Sequence, residues 1–160
     1  MIPNAFEYPA PARVDEAVRP LAEHADAAKL LAGGHSLLPM MKLRFAEPTH
    51  LIDINGIPEL RGVRLDGDTV RIGAMTTENA IIASDVLRDH CPLLPEAARN
   101  ISDPQVRNRG TIGGDIAHGD PANDHPALML ACNAEFRLRG PNGERTVAAP
   151  DFFLGTYWTA

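Results

Sequence analysis

The chain has 160 residues, a formal net charge of −6, 44% hydrophobic residues and 22% charged residues. This balance is typical of one ordinary globular domain, and its scattered basic residues argue against nucleic-acid binding, which needs a concentrated basic face. Two cysteines, Cys91 and Cys132, are too few for an iron–sulfur cluster, which usually needs four thiolates. The low cysteine content and the lack of a long apolar run predict a cytoplasmic protein without a transmembrane segment.

The first third of the chain is predicted to combine short helices and strands. Apolar residues at helical spacing over 14–25 predict a helix, in which Pro20 should cause a kink or a later start. An apolar run at 29–32 predicts a strand, and Ser36 is the predicted N-cap of a short helix that follows it. The apolar stripe in 37–45 is interpreted as core. A second strand is predicted at 50–54.

The remainder is predicted to contain two β-hairpins and several helices. The hairpins join 63–65 to 69–72 and 135–139 to 145–148, each across a turn that contains glycine. Thr77 is the predicted cap of a helix through residue 82, and further helices are predicted at 94–98 and 127–132. This mixture predicts an α+β fold. A joint near Asn55 and Gly56 would separate a first subdomain, 1–55, from a second, 56–160.

Two paired glycines carry the functional signal. Such pairs let the backbone approach a ligand closely, and a nest of N–H groups or a helix start offers several donors to one anion. Two converging segments therefore predict a pyrophosphate site, although either pair alone is more often a simple turn. Neither a Rossmann fingerprint nor a P-loop motif is present. The first segment is Ala32, Gly33, Gly34, His35 and Ser36, and the second is Thr111, Ile112, Gly113, Gly114 and Asp115.

Both segments and their surroundings resemble the FAD-binding medium subunits of the molybdenum hydroxylase family, in particular those of aerobic carbon monoxide dehydrogenases. The likeness includes the residues around Glu7, the strand at 51–54, Arg109 and Gly110 before the second segment, and the stretch 120–124 after it. It extends over the whole chain. It implies a two-subdomain α+β fold of the vanillyl-alcohol oxidase or PCMH type, which ends here before the C-terminal part that the family possesses.

The resemblance implies that the two glycine segments hold the pyrophosphate of FAD. Asp124 matches a position that hydrogen-bonds the ADP part, and Ile101 matches an apolar residue beside the isoalloxazine ring. His35 is expected to contribute its backbone, and no residue of the chain is expected to be catalytic. Asp115 departs from the Asn or Ser common in the family. Because an ionised carboxylate cannot donate and would repel a pyrophosphate, the Asp115 side chain is expected to turn away.

The implied function is electron transfer in a larger complex. The molybdenum cofactor of a large subunit and two [2Fe–2S] clusters of a small subunit would deliver electrons to FAD, which passes them to an external acceptor. The implied assembly is a dimer of heterotrimers. His118, Asp120, Asp124 and His125 have metal-ligand chemistry, but no metal site is expected on this chain. Two alternatives stay open: a truncated remnant or assembly module that no longer holds FAD, and a stand-alone flavin oxidase or reductase.

Overall fold

The computed structural model describes residues 2–101 and 103–160, which form short helices and four two-stranded sheets. The predicted α+β class is confirmed. Among these residues, no helix has the length and apolar character that a membrane crossing requires. The helices are α1 Val14–His24, α2 Leu37–Lys42, α3 Glu78–Ile82, α4 Asp85–His90, α5 Leu93–Asn100, α6 Pro104–Arg109, α7 Ile112–His118, α8 Asp124–Ala131 and α9 Ala149–Phe152; the strands are β1 Ala28–Leu31, β2 His50–Asp53, β3 Val63–Asp66, β4 Thr69–Ile72, β5 Glu135–Gly140, β6 Gly143–Ala148, β7 Phe153–Gly155 and β8 Trp158–Thr159.

The first part of the chain is organised around a parallel pair of strands. β1 and β2 pair from Ala28 opposite His50 to Leu31 opposite Asp53, and α1 contacts both strands. Ala28 and Ile52 are almost fully buried in the core that α1 covers. Since parallel strands end at the same edge of a sheet, the residues after β1 and β2 are placed side by side.

α1 does not begin after its proline. The helix starts at Val14 and continues through Pro20, so the prediction of a later start is wrong. The Val14 N–H donates to Glu59 Oε1 at 3.0 Å, and the Ala12 N–H donates to Glu16 Oε2 at 3.1 Å. These bonds satisfy donors at the helix start, which supports an early beginning despite the missing Pro20 N–H.

A second, larger core lies among the later helices and both hairpins. Ile81, Leu87 and Ala98 are fully buried there, and Phe152 packs against Phe136 with ring centroids 4.4 Å apart. The predicted hairpins β3–β4 and β5–β6 are confirmed as antiparallel pairs. The predicted cap is also confirmed, because the Thr77 side chain accepts a hydrogen bond from the Ala80 N–H at 3.4 Å. A subdomain boundary near Asn55 and Gly56 stays a prediction.

Among the described residues, four helices were not predicted: α4, α6, α7 and α9. Ser84 and Asp103 are the N-caps of α4 and α6, and their side chains accept hydrogen bonds from Leu87 N and Gln105 N, so cap signals were present in the sequence. α9 has no such cap. α7 is different, because its first turn contains the second glycine pair, which was interpreted as a loop. Glycine disfavours helix, and only the packing described below explains its presence there.

Candidate functional site

The two glycine segments are far apart in sequence and adjacent in the structure. A Cβ placed on Gly114 would lie 3.4 Å from the Ala32 Cβ, which is ordinary van der Waals contact. A Cβ on Gly33 would lie 2.9 Å from the Arg109 carbonyl carbon, closer than real Cβ atoms approach backbone. The segment after β1 therefore packs directly against the segment that leads into α7, and Gly33 permits this approach.

The first segment offers a row of unoccupied N–H donors. Within 2–101 and 103–160, the N–H groups of residues 33–37 donate to no protein acceptor. Gly34 adopts φ +81°, a left-handed conformation, and residues 35–36 form a turn in which Ser36 has right-handed helical angles. Successive N–H groups in a turn can point toward one anion, as in an anion-binding nest. The chemistry of the donors fits an anion such as a phosphate group.

The second segment has its donors already engaged. The Ile112 N–H donates to Thr76 O at 3.1 Å, and the Gly113 N–H donates to Ala74 O at 2.9 Å. The Gly114 N–H donates to the capping Thr111 Oγ1 at 3.3 Å. The two segments thus differ: the first presents open donors, and the second presents a close-packed helix turn.

Gly113 is required by backbone packing. A Cβ at this position would lie 2.7 Å from the Ala74 carbonyl oxygen. The same close approach allows the hydrogen bond from Gly113 N–H to that oxygen. This contact explains why a helix accepts a glycine pair in its first turn.

The Asp53–Asn55 turn, where a strand end and a subdomain joint were predicted, braces the first segment. The Asn55 Nδ2 group donates to Ala32 O at 2.9 Å and to Asp53 Oδ1 at 2.7 Å. The Tyr8 hydroxyl donates to Asp53 Oδ2 at 2.5 Å. Burial by itself raises the pKa of Asp53, but the hydrogen bonds from Tyr8 and Asn55 outweigh it and hold that pKa below its ordinary value. An Asp-x-Asn pattern after a strand was the available signal.

His35 and Ser36 are both exposed on the first segment. The His35 Nε2 atom lies 3.0 Å from Gln105 O in α6, so the imidazole ties the segment to a neighbouring helix. Ser36 stands at the N-cap position of α2 but makes no side-chain cap bond, and its φ −96° and ψ −51° are helical. A capping side chain needs an extended N-cap residue. The predicted Ser36 cap is therefore wrong.

Ile101 directly follows α5, and Asp124 is the first residue of α8. Ile101 is half-buried just after α5, and its carbonyl accepts a hydrogen bond from the Arg107 guanidinium. Asp124 is the exposed first residue of α8 and lines an open cleft of about 500 Å³ together with Asn100 and Asn123. Contact of these two residues with FAD stays a prediction.

The Asp115 side chain is bound by residues at the start of α8. Asp115 Oδ2 lies 2.8 Å from His125 Nδ1, and Glu78 Oε2 lies 3.4 Å from His125 Nε2. Asp115 Oδ1 accepts a hydrogen bond from the Asn123 amide. Burial lowers the pKa of His125, but the contacts with Asp115 and Glu78 outweigh it and raise that pKa to about 10. With this pKa the imidazole is a cation at neutral pH. This ion-pair cluster was not predicted from the sequence.

The four residues with metal-ligand chemistry do not assemble into one centre. His125 is buried between its two carboxylates, whereas the His118 ring lies against Tyr157 with centroids 5.0 Å apart. The nearby Asp120 carboxylate raises the pKa of the Tyr157 hydroxyl. In the described part of the chain, no group of three or more potential ligands is arranged to hold a metal ion.

Comparison with known proteins places this arrangement in a family context. The model of the FAD binding domain in molybdopterin dehydrogenase matches residues 4–160. The chain is 68% identical over 159 residues to the carbon monoxide dehydrogenase medium chain of Hydrogenophaga pseudoflava, covering 99% of this chain and 55% of the relative. It is 49% identical over 160 residues to the corresponding chain of Afipia carboxidovorans, covering 100% and 56%.

A solved structure gives the same relationship in three dimensions. Carbon monoxide dehydrogenase from Hydrogenophaga pseudoflava, in a form that lacks the Mo-pyranopterin moiety, superposes with a TM-score of 0.97 at 68% identity. The match covers 99% of this chain and 55% of that one. The chain therefore spans about half the length of the relatives it matches.

Proposed function

Because the chain belongs to the family of FAD-binding domains of molybdopterin dehydrogenases, we propose that it binds FAD and forms part of the flavin subunit of a molybdenum hydroxylase. One observation carries the proposal: the open N–H groups of residues 33–37 lie beside the helix turn at Gly114. A pyrophosphate is the part of FAD that such donors recognise.

We assign the two segments different roles, because the N–H groups of the first are open and those of the second are mostly hydrogen-bonded. Gly33, Gly34, His35 and Ser36 supply backbone donors to the pyrophosphate. Thr111, Ile112, Gly113 and Gly114 form the wall against which the first segment is held, and they exclude water from one side of the cradle. Asp124 is proposed to contact the ADP part, and Ile101 the ring. Both assignments rest on the family resemblance.

The flavin supplies the two-electron redox chemistry when it is bound, and the chain binds and orients it. We propose that the molybdenum cofactor resides on a large partner subunit and the [2Fe–2S] clusters on a small one, in a dimer of heterotrimers. An external acceptor then takes the electrons from the flavin. Similarity to two carbon monoxide dehydrogenase medium chains favours carbon monoxide as the substrate of the holoenzyme, and the cytoplasm is its proposed location.

A charge placed in the nest tests the FAD site. Ser36 is exposed and its side chain makes no cap bond, so Ser36→Asp should leave the fold intact. The new carboxylate would repel the pyrophosphate and weaken FAD binding at least about tenfold, which corresponds to about 1.4 kcal/mol. Titration of the deflavinated chain with FAD, followed by flavin fluorescence, measures the change.

Thr146→Asp is the matched control, because Thr146 is an exposed residue of β6 and receives the same added charge. It should leave both FAD affinity and thermal stability unchanged. Equal FAD affinity in the parent chain and the Ser36→Asp variant would contradict the proposed cradle.

A second candidate function is an assembly module that keeps the fold without holding FAD. One observation favours it: the N–H donors of Ile112, Gly113 and Gly114 are already engaged within the protein. A folded chain that stays colourless and takes up no added FAD would select this alternative. Yellow protein with flavin absorption bands would exclude it.

A further inference from the structure

The His125 side chain occupies a position that the flavin proposal does not use. It is 3% exposed and lies in the first turn of α8. Its Nδ1 atom is 2.8 Å from Asp115 Oδ2 on α7, and its Nε2 atom is 3.4 Å from Glu78 Oε2 on α3. A single buried ring therefore connects three helices through two carboxylates.

The His125 imidazole is the counter-ion of two carboxylates, those of Glu78 and Asp115. Glu78 is the first residue of α3, and Asp115 lies in the first turn of α7. Helix N-termini favour carboxylates and disfavour cations, so the helix ends alone do not explain a charged imidazole. The Glu78 carboxylate is buried and the Asp115 side chain is 24% exposed, so both are largely withdrawn from water, where a carboxylate without a cation is unfavourable. His125 is the basic side chain that contacts both of them.

The cluster is joined directly to the glycine segments. Asp115 follows Gly114, whose position is in contact with Ala32 of the first segment. Asp115 Oδ1 also accepts a hydrogen bond from Asn123, which precedes Asp124. A displacement of Asp115, or an uncompensated charge on it, would thus change the position of the glycine turn and of the start of α8.

We propose that His125 is a positioning residue for the flavin: as the buried counter-ion of Asp115, it holds the glycine turn of α7 against the first segment and cancels a negative charge that would repel the pyrophosphate. The proposal rests on the proposed function. It explains how an aspartate is accepted beside an anion site, because the carboxylate is bound by α8 and neutralised by an adjacent cation.

The test is a double-mutant cycle on the full chain, with the dissociation constant of FAD as the readout. His125→Gln should weaken FAD binding at least tenfold, because it leaves the Asp115 charge without compensation. In the Asp115→Asn background the same His125→Gln substitution should cost less than threefold, since the charge it balances is no longer present. Equal effects in the two backgrounds would overturn the proposal.

Met129→Ala is the matched structural control. Met129 is 5% exposed and lies one helical turn beyond His125 on α8. Its truncation should lower the melting temperature without changing FAD affinity. If Met129→Ala weakens FAD binding as much as His125→Gln does, general loosening of α8 is the cause and His125 has no specific role.

Two further outcomes are decisive. If His125→Gln does not fold, the same cycle is run with His125→Asn: it should weaken FAD binding at least tenfold in the parent and less than threefold in the Asp115→Asn background, and equal effects overturn the proposal. A parent chain that binds no FAD removes the proposed function, and the inference falls with it. FAD binding by the parent with additive effects in the cycle removes the inference alone.

Discussion

His125 Nδ1 lies 2.8 Å from Asp115 Oδ2, and the residue before Asp115 in the chain is the second glycine of the α7 turn. The contact joins a buried cation to the segment that packs against the proposed cradle. Its second carboxylate, Glu78, approaches from α3. The stability of this region should therefore depend on the charge of one imidazole.

The first prediction concerns pH and stability. The pKa of His125 is about 10 in the folded chain and 6.5 as its ordinary value. Because the folded pKa is the higher one, the stabilisation is fully present below 6.5 and is lost as pH rises through about 10. The free energy of unfolding should fall in this interval by up to about 1.4 kcal/mol per pH unit from this group.

Urea denaturation of the parent chain and of His125→Gln, at several values of pH between 6.5 and 10, measures this dependence. Over this interval the free energy of unfolding of the parent should fall more steeply with pH than that of the variant. All other titratable groups are common to both proteins, so the difference between the slopes reports His125. Parallel curves would show that the imidazole does not carry the charge assigned to it.

The second prediction concerns the Asn55 brace. Asn55→Ala removes the donor to Ala32 O and to Asp53 Oδ1, which should lower the free energy of unfolding by about 1–3 kcal/mol. Because the first segment loses its anchor, FAD affinity should also decrease. Asn79→Ala is the control, since Asn79 is exposed on α3. An FAD affinity that responds equally to both substitutions would contradict the brace.

The third prediction concerns Gly113. In an ordinary helix, Gly→Ala stabilises by about 0.5–1 kcal/mol. Here the added Cβ would meet the Ala74 backbone at 2.7 Å, so Gly113→Ala should instead destabilise the chain by about 1–3 kcal/mol. Gly140→Ala is the control, because a Cβ there meets nothing within 4 Å. Chemical denaturation measures both, and stabilisation by Gly113→Ala would contradict the packing described.

The fourth prediction concerns the two thiols. Cys91 Sγ and Cys132 Sγ are 3.9 Å apart, and neither is in a disulfide. Burial and the nearby Cys91 raise the pKa of Cys132, so alkylation near neutral pH should be slow despite its exposure. Added hydrogen peroxide should join the thiols, with loss of two hydrogens to water, and mass spectrometry measures the change. Cys91→Ser should prevent it; unlinked thiols in the treated parent would contradict the prediction.

Local chemistry in the sequence determined much of the secondary structure. The apolar spacing over 14–25 placed α1, the Thr77 hydroxyl placed the start of α3, and glycine turns placed both hairpins. These features depend on residues within a few positions of one another, so that their signals are readable without the fold. The two glycine pairs alone indicated only a general anion site. The family resemblance identified FAD as the expected ligand.

Only the tertiary structure decided how the candidate site is assembled. The contacts of Gly33 with Arg109 and of Gly114 with Ala32 join residues about half the chain apart. The same packing makes a helix of the second glycine segment and engages its donors, while those of the first segment stay open. His125 acquires its charge from carboxylates on two other helices. Spacing along the chain does not predict such contacts, because they depend on which surfaces pack together when the hydrophobic cores form.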